Sequence, residues 1–168
     1  MSQAPKRLPR AIRLDSSDRQ VFEQACLPGE WALPGSFAFA DCDPTRLEGK
    51  AQIAFRTAWL GLTSFGFTTL VEVAEIEEAE FFAAVERLAR HLQSAYGAPS
   101  LGLALTAARR ELEDAAGLCD HKTGTLLALE RVPATEGFVE RIRVIEPARA
   151  KDHARIWELA GDDTGSGG

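Results

Sequence analysis

Residues 67–97, FTTLVEVAEIEEAEFFAAVERLARHLQSAYG, decide the fold class because their pattern changes from strand to helix partway along. The first part, FTTLVEVAEI, is rich in threonine and valine and predicts a β-strand. The remainder predicts an amphipathic helix, with glutamates in its first turn and Gly97 at its end, as the helix dipole and the left-handed cap prefer. The apolar face of this helix consists of Phe81, Val85, Leu88, Leu92 and Ala95.

A second amphipathic helix is predicted from residue 101 to about residue 119, after a linker of sequence APS. Its apolar face consists of Leu101, Leu105, Ala108, Leu112 and Ala115. A connection this short favours an antiparallel helix pair. The segment GLCDHKTG (117–124) then becomes polar and ends in glycine, so it predicts a turn into a strand that begins at Thr125.

The segments on either side of the helix pair have strand character. TLLALERV (125–132) and FVERIRVI (138–145) are separated by PATEG, and this arrangement predicts a β-hairpin. Nearer the N-terminus, strands are predicted at 10–15 (RAIRLD), at 20–25 (QVFEQA), and at 31–41 (WALPGSFAFAD) as one bent strand or two short strands.

Two further helices are predicted. Residues 41–62 begin with Asp43 as an N-cap and Pro44 at the first helical position, and their apolar face runs on to Trp59 and Leu62. Residues 148–159 (ARAKDHARIWEL) predict a last short helix that carries Trp157.

The order of these elements predicts the fold class. Strands and helices do not alternate strictly, which argues against a doubly wound parallel sheet. We therefore predict a single α+β domain over residues 1–160, with a mixed or antiparallel sheet. The antiparallel helix pair and a further helix pack mainly on one face of that sheet. The polar, glycine-rich residues 161–168 (GDDTGSGG) predict a disordered tail.

Composition excludes several classes of protein. The 168 residues carry a net charge of −6 with a pI of about 5.1, whereas a nucleic-acid-binding face must be basic to displace counterions. No apolar run approaches the roughly 20 residues that cross a bilayer, and the N-terminus lacks the apolar core of a secretory signal. The sequence therefore predicts a cytoplasmic protein that binds neither nucleic acid nor membranes.

Four residues have the side chains of a Cys3His zinc site, namely Cys26, Cys42, Cys119 and His121. Their spacing does not support such a site, because structural zinc ligands usually occur in close C-x2-C pairs and the only close pair here is Cys119-x-His121. The sequence also lacks any nucleophile motif that would make Cys119 a catalytic thiol. We expect no catalytic residue and no cofactor, and retain a metal or thiol enzyme as the weakest hypothesis.

Two surfaces are candidates for binding. A run of glutamates that includes Glu72 and Glu75 is either an acidic docking face or the solvated start of a helix. Aromatic residues crowd the first part of the chain, where Trp31 and Trp59 either line an apolar ligand pocket or belong to the core. Trp157, on a weak helix near the C-terminus, is the best single candidate for a docking residue.

Several segments resemble one family of proteins. LPRAIRLDSSDRQVFEQACLPGEWALPGSFAFAD, LGLTSFGFTTLVEVAEI, VERLARHL, YGAPSL and GTLLALER are similar to an uncharacterised alphaproteobacterial family, DUF6505, over about residues 7–146. The resemblance implies a bacterial cytoplasmic protein and brings no assigned activity. It also implies an accessory role beside redox metalloenzyme systems.

The predicted function is therefore that of a non-catalytic accessory or protein-interaction domain whose partner is another protein. The alternative is a small-ligand-binding protein with an aromatic pocket. An enzyme built on Cys119 and His121 is the third hypothesis.

Overall fold

The computed structural model describes residues 6–12, 25–40, 43 and 45–145, and these form an α+β fold. The helices are α1 (Gly49–Thr57), α2 (Glu78–Tyr96) and α3 (Leu101–Gly117), with a short 3-10 helix at Ser36–Phe39. The strands are β1 (Lys6–Ala11), β2 (Ala32–Leu33), β3 (Trp59–Gly61), β4 (Phe67–Thr68), β5 (Leu70–Ile76), β6 (Leu126–Pro133) and β7 (Phe138–Ile145).

All strand pairs within the two sheets are antiparallel. The larger sheet has the order β1-β5-β6-β7 and the smaller one the order β2-β3-β4. An isolated bridge between Arg10 and Trp31 joins them, and the backbone N–H of Ala11 donates to the carbonyl of Glu30. The predicted α+β class is confirmed, with an antiparallel rather than a mixed sheet.

The helix pair α2–α3 matches the prediction from its apolar periodicity. Gly97 ends α2 in the left-handed region, at φ 71°, which glycine adopts without strain. Ser100 caps α3, where its hydroxyl oxygen accepts a hydrogen bond from the backbone N–H of Leu103 at 3.1 Å. Because only residues 97–100 connect the two helices, α2 and α3 run antiparallel.

The larger sheet is buried on both faces near β1 and β5. Successive side chains of a strand point to opposite faces, so these two strands contribute to two core clusters. On one face, Leu8 packs with Phe81 and Leu88 of α2 in the first core cluster. On the other, Val71 and Val73 pack in the second core cluster, which also contains Trp59, Cys119, Leu127 and Leu129.

The predicted strand at 31–41 is only partly correct. Ala32–Leu33 is a strand, but Ser36–Phe39 is a 3-10 helix, so Phe37 and Phe39 do not share a strand face. The chain turns at Gly35, which has φ 67° and lies so close to the Leu60 side chain that a Cβ would be 2.7 Å from the Leu60 Cβ. This close approach requires glycine and ends the strand.

The predicted helix at 41–62 is wrong at both ends. Helix α1 begins at Gly49, and the Asp43 carboxylate instead accepts hydrogen bonds from Thr45 in a local turn. The helix ends at Thr57, because Trp59 and Leu60 pair with β2 and β4 in the smaller sheet. Tertiary strand pairing therefore overrides the helical spacing of the apolar residues.

The remaining strands agree with the sequence apart from one shift. The strand predicted from FTTLVEVAEI forms β4 and β5, and the predicted hairpin is β6–β7. The first strand, Lys6–Ala11, begins earlier than predicted, and residues 13–15 of the strand predicted at 10–15 lie outside the described residues. Residues 20–24 of the predicted second strand, Cys42, Pro44, the predicted helix at 148–159 with Trp157, and the tail 161–168 lie outside the described residues.

Candidate functional site

A surface depression lies between the two long helices. We call it the helix groove; its volume is about 380 Å³. It is lined by Phe82, Val85 and Glu86 of α2 and by Leu105, Thr106 and Arg109 of α3. These positions follow the helical period on the side of each helix next to the buried stripe, so the groove is a consequence of the antiparallel packing of two amphipathic helices.

The helix groove combines an apolar wall with charges at its rim. Phe82 is 47% exposed, which is unusual for an aromatic ring, and the Arg109 guanidinium lies 5.2 Å from its centroid. Arg109 is also 3.7 Å from Glu113, and Glu86 pairs with Arg90 at 3.2 Å. Leu103, one turn before Thr106, is 60% exposed. The surface can therefore bury apolar side chains and pair with charges of either sign.

Two of the residues predicted for binding, Trp31 and Glu72, are brought together through Arg10. The Arg10 guanidinium donates to the Glu72 carboxylate at 2.8 and 3.1 Å and lies 5.8 Å from the centre of the Trp31 ring. The Trp31 indole N–H donates to the Glu80 carboxylate at 3.2 Å. Two members of the predicted run of glutamates, Glu72 and Glu80, thus form hydrogen bonds within the fold. Glu75 is exposed.

Trp59 does not share a pocket with Trp31. Trp59 is fully buried in the second core cluster, while Trp31 packs against the first. The Trp59 indole N–H is buried and has no hydrogen-bond partner among the described residues. The role of Trp59 in the described structure is therefore that of a core residue.

Three of the four potential zinc ligands, Cys26, Cys119 and His121, lie among the described residues and have different surroundings. Cys26 is buried and donates to the carbonyl of Gly66 at 3.5 Å, whereas Cys119 lies in the second core cluster. His121 is exposed, and its carbonyl accepts a hydrogen bond from Arg7. Over the described ranges, which exclude Cys42, no group of three or more His, Cys, Asp or Glu side chains could hold a metal ion.

The Cys119 thiol is not activated for chemistry. Burial raises its pKa to about 12, and the nearby positive charge of Arg7 opposes this shift only in part. A thiol with this pKa is almost entirely protonated at neutral pH and is a poor nucleophile.

A buried arginine was missed by the sequence analysis. Arg131 is completely buried, and its guanidinium donates to Glu140 at 2.9 Å and to the carbonyls of Phe55 at 2.9 Å, Ala58 at 3.0 Å and Pro34. Burial lowers the pKa of Arg131, and the negative charge of Glu140 opposes that shift. The alternation of side chains along β6 could have predicted the burial of Arg131, because Arg131 lies on the same strand face as the buried Leu127 and Leu129.

A buried carboxylate was missed as well. Glu30 accepts hydrogen bonds from the backbone N–H groups of Leu27 at 2.7 Å, Thr63 at 3.0 Å and Ser64 at 2.8 Å, and from the Ser64 hydroxyl at 2.7 Å. Burial alone would raise its pKa, but these hydrogen bonds outweigh it and lower the pKa. Glu30 therefore ties the 27–30 turn to the loop between β3 and β4.

His91, the only other histidine in the described ranges, is part of an aromatic cluster. Its imidazole stacks on the Phe65 ring with centroids 3.7 Å apart, and Tyr96 approaches edge-on at 5.6 Å. Burial lowers the pKa of His91. Phe65 has φ 57°, a conformation in which a bulky residue is strained. In this cluster, the His91 ring packs against two aromatic side chains, Phe65 and Tyr96.

The described residues define an antiparallel α+β fold with a helix groove between α2 and α3. No helix in the described ranges is long and apolar enough to cross a membrane. The chain belongs to DUF6505, a family of unknown function, whose model matches residues 6–158. No curated protein and no solved structure matches the chain.

Proposed function

We propose that this chain is a cytoplasmic, non-catalytic protein-interaction domain that binds an amphipathic helix of a partner protein in the helix groove. The observation that carries the proposal is the exposure of Phe82 beside Val85 and Leu105. An aromatic side chain exposed next to other apolar groups is typical of an interaction surface.

The engagement of the reactive groups supports a binding rather than a catalytic role. Cys119 is a protonated, buried thiol, and the carboxylate of Glu30 is held by four hydrogen-bond donors. The guanidinium of Arg131 is occupied by carbonyls and by Glu140. These groups hold the fold together and are not free to act on a substrate.

A helix is the occupant that fits the groove best. Two antiparallel helices leave a shallow trough between them, and a third helix can lay apolar side chains at i, i+3 and i+4 spacing into it. Glu86 and Arg109 at the rim can pair with a lysine and a glutamate of such a helix. The accessory role implied by the family resemblance makes subunits of redox metalloenzymes the first partners to test.

Site-specific cross-linking tests this proposal. A photoreactive amino acid replaces Thr106 in the groove of the full chain, and a matched control replaces Ile53, which is exposed on α1. We expect one partner to cross-link at position 106 and not at position 53, with the attachment site on an amphipathic helix.

Purified components complete the test. The partner helix should bind the unmodified chain and lose at least tenfold in affinity with Phe82→Ala, because a buried aromatic anchor contributes more than 1.4 kcal/mol to such an interface. Equal cross-linking at the two positions, or equal binding by Phe82→Ala, would contradict the proposal.

A small ligand is the second candidate for the same groove. Its volume of about 380 Å³ falls within the usual range of ligand pockets, and Arg109 could hold a carboxylate beside the apolar wall. In a thermal-shift screen of aliphatic and aryl carboxylates, a compound that binds the groove should raise the melting temperature of the wild-type protein. The same compound should not raise the melting temperature of Arg109→Gln. The absence of any specific shift would remove this candidate.

A further inference from the structure

The last strand of the larger sheet presents a second surface, away from the helix groove. β7 pairs with β6 over all eight of its residues, from Phe138 opposite Pro133 to Ile145 opposite Leu126. Within the described ranges, no strand pairs with its other side. We call that side of the strand the β7 edge. Backbone N–H and C=O groups without a strand partner can pair with an added strand.

The inner face of β7 is anchored to the core, so the edge is held in an extended form. The Phe138 ring lies 5.1 Å from the Phe55 ring, and the Glu140 carboxylate accepts from the buried Arg131 at 2.9 Å. Ile142 packs against the second core cluster. An edge that is already extended loses little conformational entropy when it gains a partner strand.

The outer face of β7 is apolar and then basic. Val139 is 48% exposed, and Arg141 and Arg143 are exposed on the same face. Arg141 lies opposite Glu130 in the sheet, but Glu130 is 3.6 Å from Arg56, and Arg143 lies opposite Ala128. Neither guanidinium forms an ion pair with a described residue, which is notable in a chain with a net charge of −6.

Charge also excludes the simplest partner, a second copy of β7. A two-fold axis between antiparallel strands keeps each face continuous, so the residues of a pair must both lie on the same face. The two registers with the greatest overlap place Arg141 opposite its own copy or opposite Arg143 of the copy. Like charges directly opposite each other destabilise strand pairing, so the arginines protect the edge against self-association.

We propose that the β7 edge binds an extended acidic segment of a partner protein, which adds a fifth strand to the larger sheet. Alternate side chains of that segment are carboxylates facing Arg141 and Arg143, and a further apolar side chain packs on Val139. The backbone hydrogen bonds give affinity and the charge pairs give selectivity for acidic sequences. Since this surface is separate from the helix groove, the proposal stands or falls independently of the function proposed above.

A defined peptide tests the proposal on the full chain. The probe is a capped octapeptide that alternates glutamate with valine, and its control replaces each glutamate with glutamine. We expect the glutamate peptide to bind at least tenfold more tightly at low salt, and its advantage to shrink as salt screens the exposed charges. Amide hydrogen exchange should slow in β7 when the glutamate peptide is added.

Variants separate charge recognition from a general effect of mutation. Arg141→Glu with Arg143→Glu should lose the glutamate peptide and gain binding of a lysine–valine peptide, a reversal that misfolding cannot produce. Arg90→Gln with Arg110→Gln removes two exposed arginines from the helices and should leave binding unchanged.

Three results would overturn the proposal. One is equal binding of the glutamate and glutamine peptides, and another is an unchanged peptide preference after the charge reversal. The third is full protection of the β7 amides in the free protein, which would mean that another part of the chain or a second copy already occupies the edge.

Discussion

Arg131 connects β6 to the end of β2, the 3-10 helix, α1 and β7. Its guanidinium reaches the carbonyl at the end of the β2 segment, the last turn of α1 and the carboxylate of β7, and it lies 4.6 Å from the centre of the Phe39 ring. A buried charge of this kind is tolerated because nearly all its hydrogen-bonding capacity is used. Residues such as Arg131 and Glu30 carry the polar connections between elements that differ widely in sequence position.

Replacing Arg131 should therefore be severe. Arg131→Met leaves three buried carbonyls without their donor and Glu140 without its counter-charge, and we expect a loss of about 3–5 kcal/mol in the free energy of unfolding. Urea denaturation measures the change. Arg141→Met, on the exposed face of the neighbouring strand, should stay within about 0.5 kcal/mol of the wild type. A small effect of Arg131→Met would mean that its network is not stabilising.

The Cys119 thiol should make the free energy of unfolding depend on pH in the alkaline range. Its pKa is raised from 9.0 to about 12 in the folded protein, so the unfolded chain releases the proton first as the pH rises. The contribution of Cys119 to stability is constant below about pH 9 and falls between pH 9 and 12. Between pH 9 and 11, the free energy of unfolding should decline more steeply in the wild type than in Cys119→Ala. Parallel curves for the two proteins would contradict the raised pKa.

Among the elements, the helix pair α2–α3 was the part best predicted from local sequence. Its acidic first turn, its left-handed glycine and its apolar stripes all act within one helix or between neighbours, so no distant residue is needed to define them. The hairpin β6–β7 was predicted equally well, from the alternation of apolar and polar side chains in its strands and from the turn sequence between them. The helix at 41–62 failed for the opposite reason, since Trp59 is drawn into a strand by partners on β2 and β4.

The cap of α3 provides a test at the element scale. Ser100→Ala removes the acceptor for the backbone N–H of Leu103, and we expect a loss of about 1 kcal/mol in the free energy of unfolding. Ser100→Asp retains an acceptor and should preserve most of the stability. Thermal unfolding followed by circular dichroism compares the three proteins. If alanine and aspartate destabilise the protein equally, the serine does not act as a cap.

At the scale of the whole molecule, the two sheets depend on a crowded junction around Gly61. Its Cα faces the Cys26 thiol and the Glu30 carboxylate, and a Cβ at this position would collide with both. Glu30 in turn holds the loop between β3 and β4 against the turn that precedes β2. The smaller sheet is thereby positioned beside the larger one.

Gly61→Ala should disturb this junction. The substitution forces buried groups apart, and we expect a loss of about 3 kcal/mol in the free energy of unfolding, at the upper end of the usual cost of overpacking. Gly117→Ala is the matched control, because a Cβ there meets no atom within 4 Å. It should be neutral or stabilising, since alanine favours a helix more than glycine does. Similar effects of the two substitutions would argue against the junction.

The sequence by itself determined the α+β class, the long helices and the hairpin, because the periodicity of apolar side chains and the local end signals specify these elements. Only the tertiary structure decided that Trp59 is a core residue, that Trp31 and Glu72 meet through Arg10, and that Cys119 belongs to the second core cluster. It also revealed Arg131, the helix groove and the β7 edge. These features depend on contacts between residues far apart in the chain, and the pattern of a single segment carries no information about which distant segment will cover it.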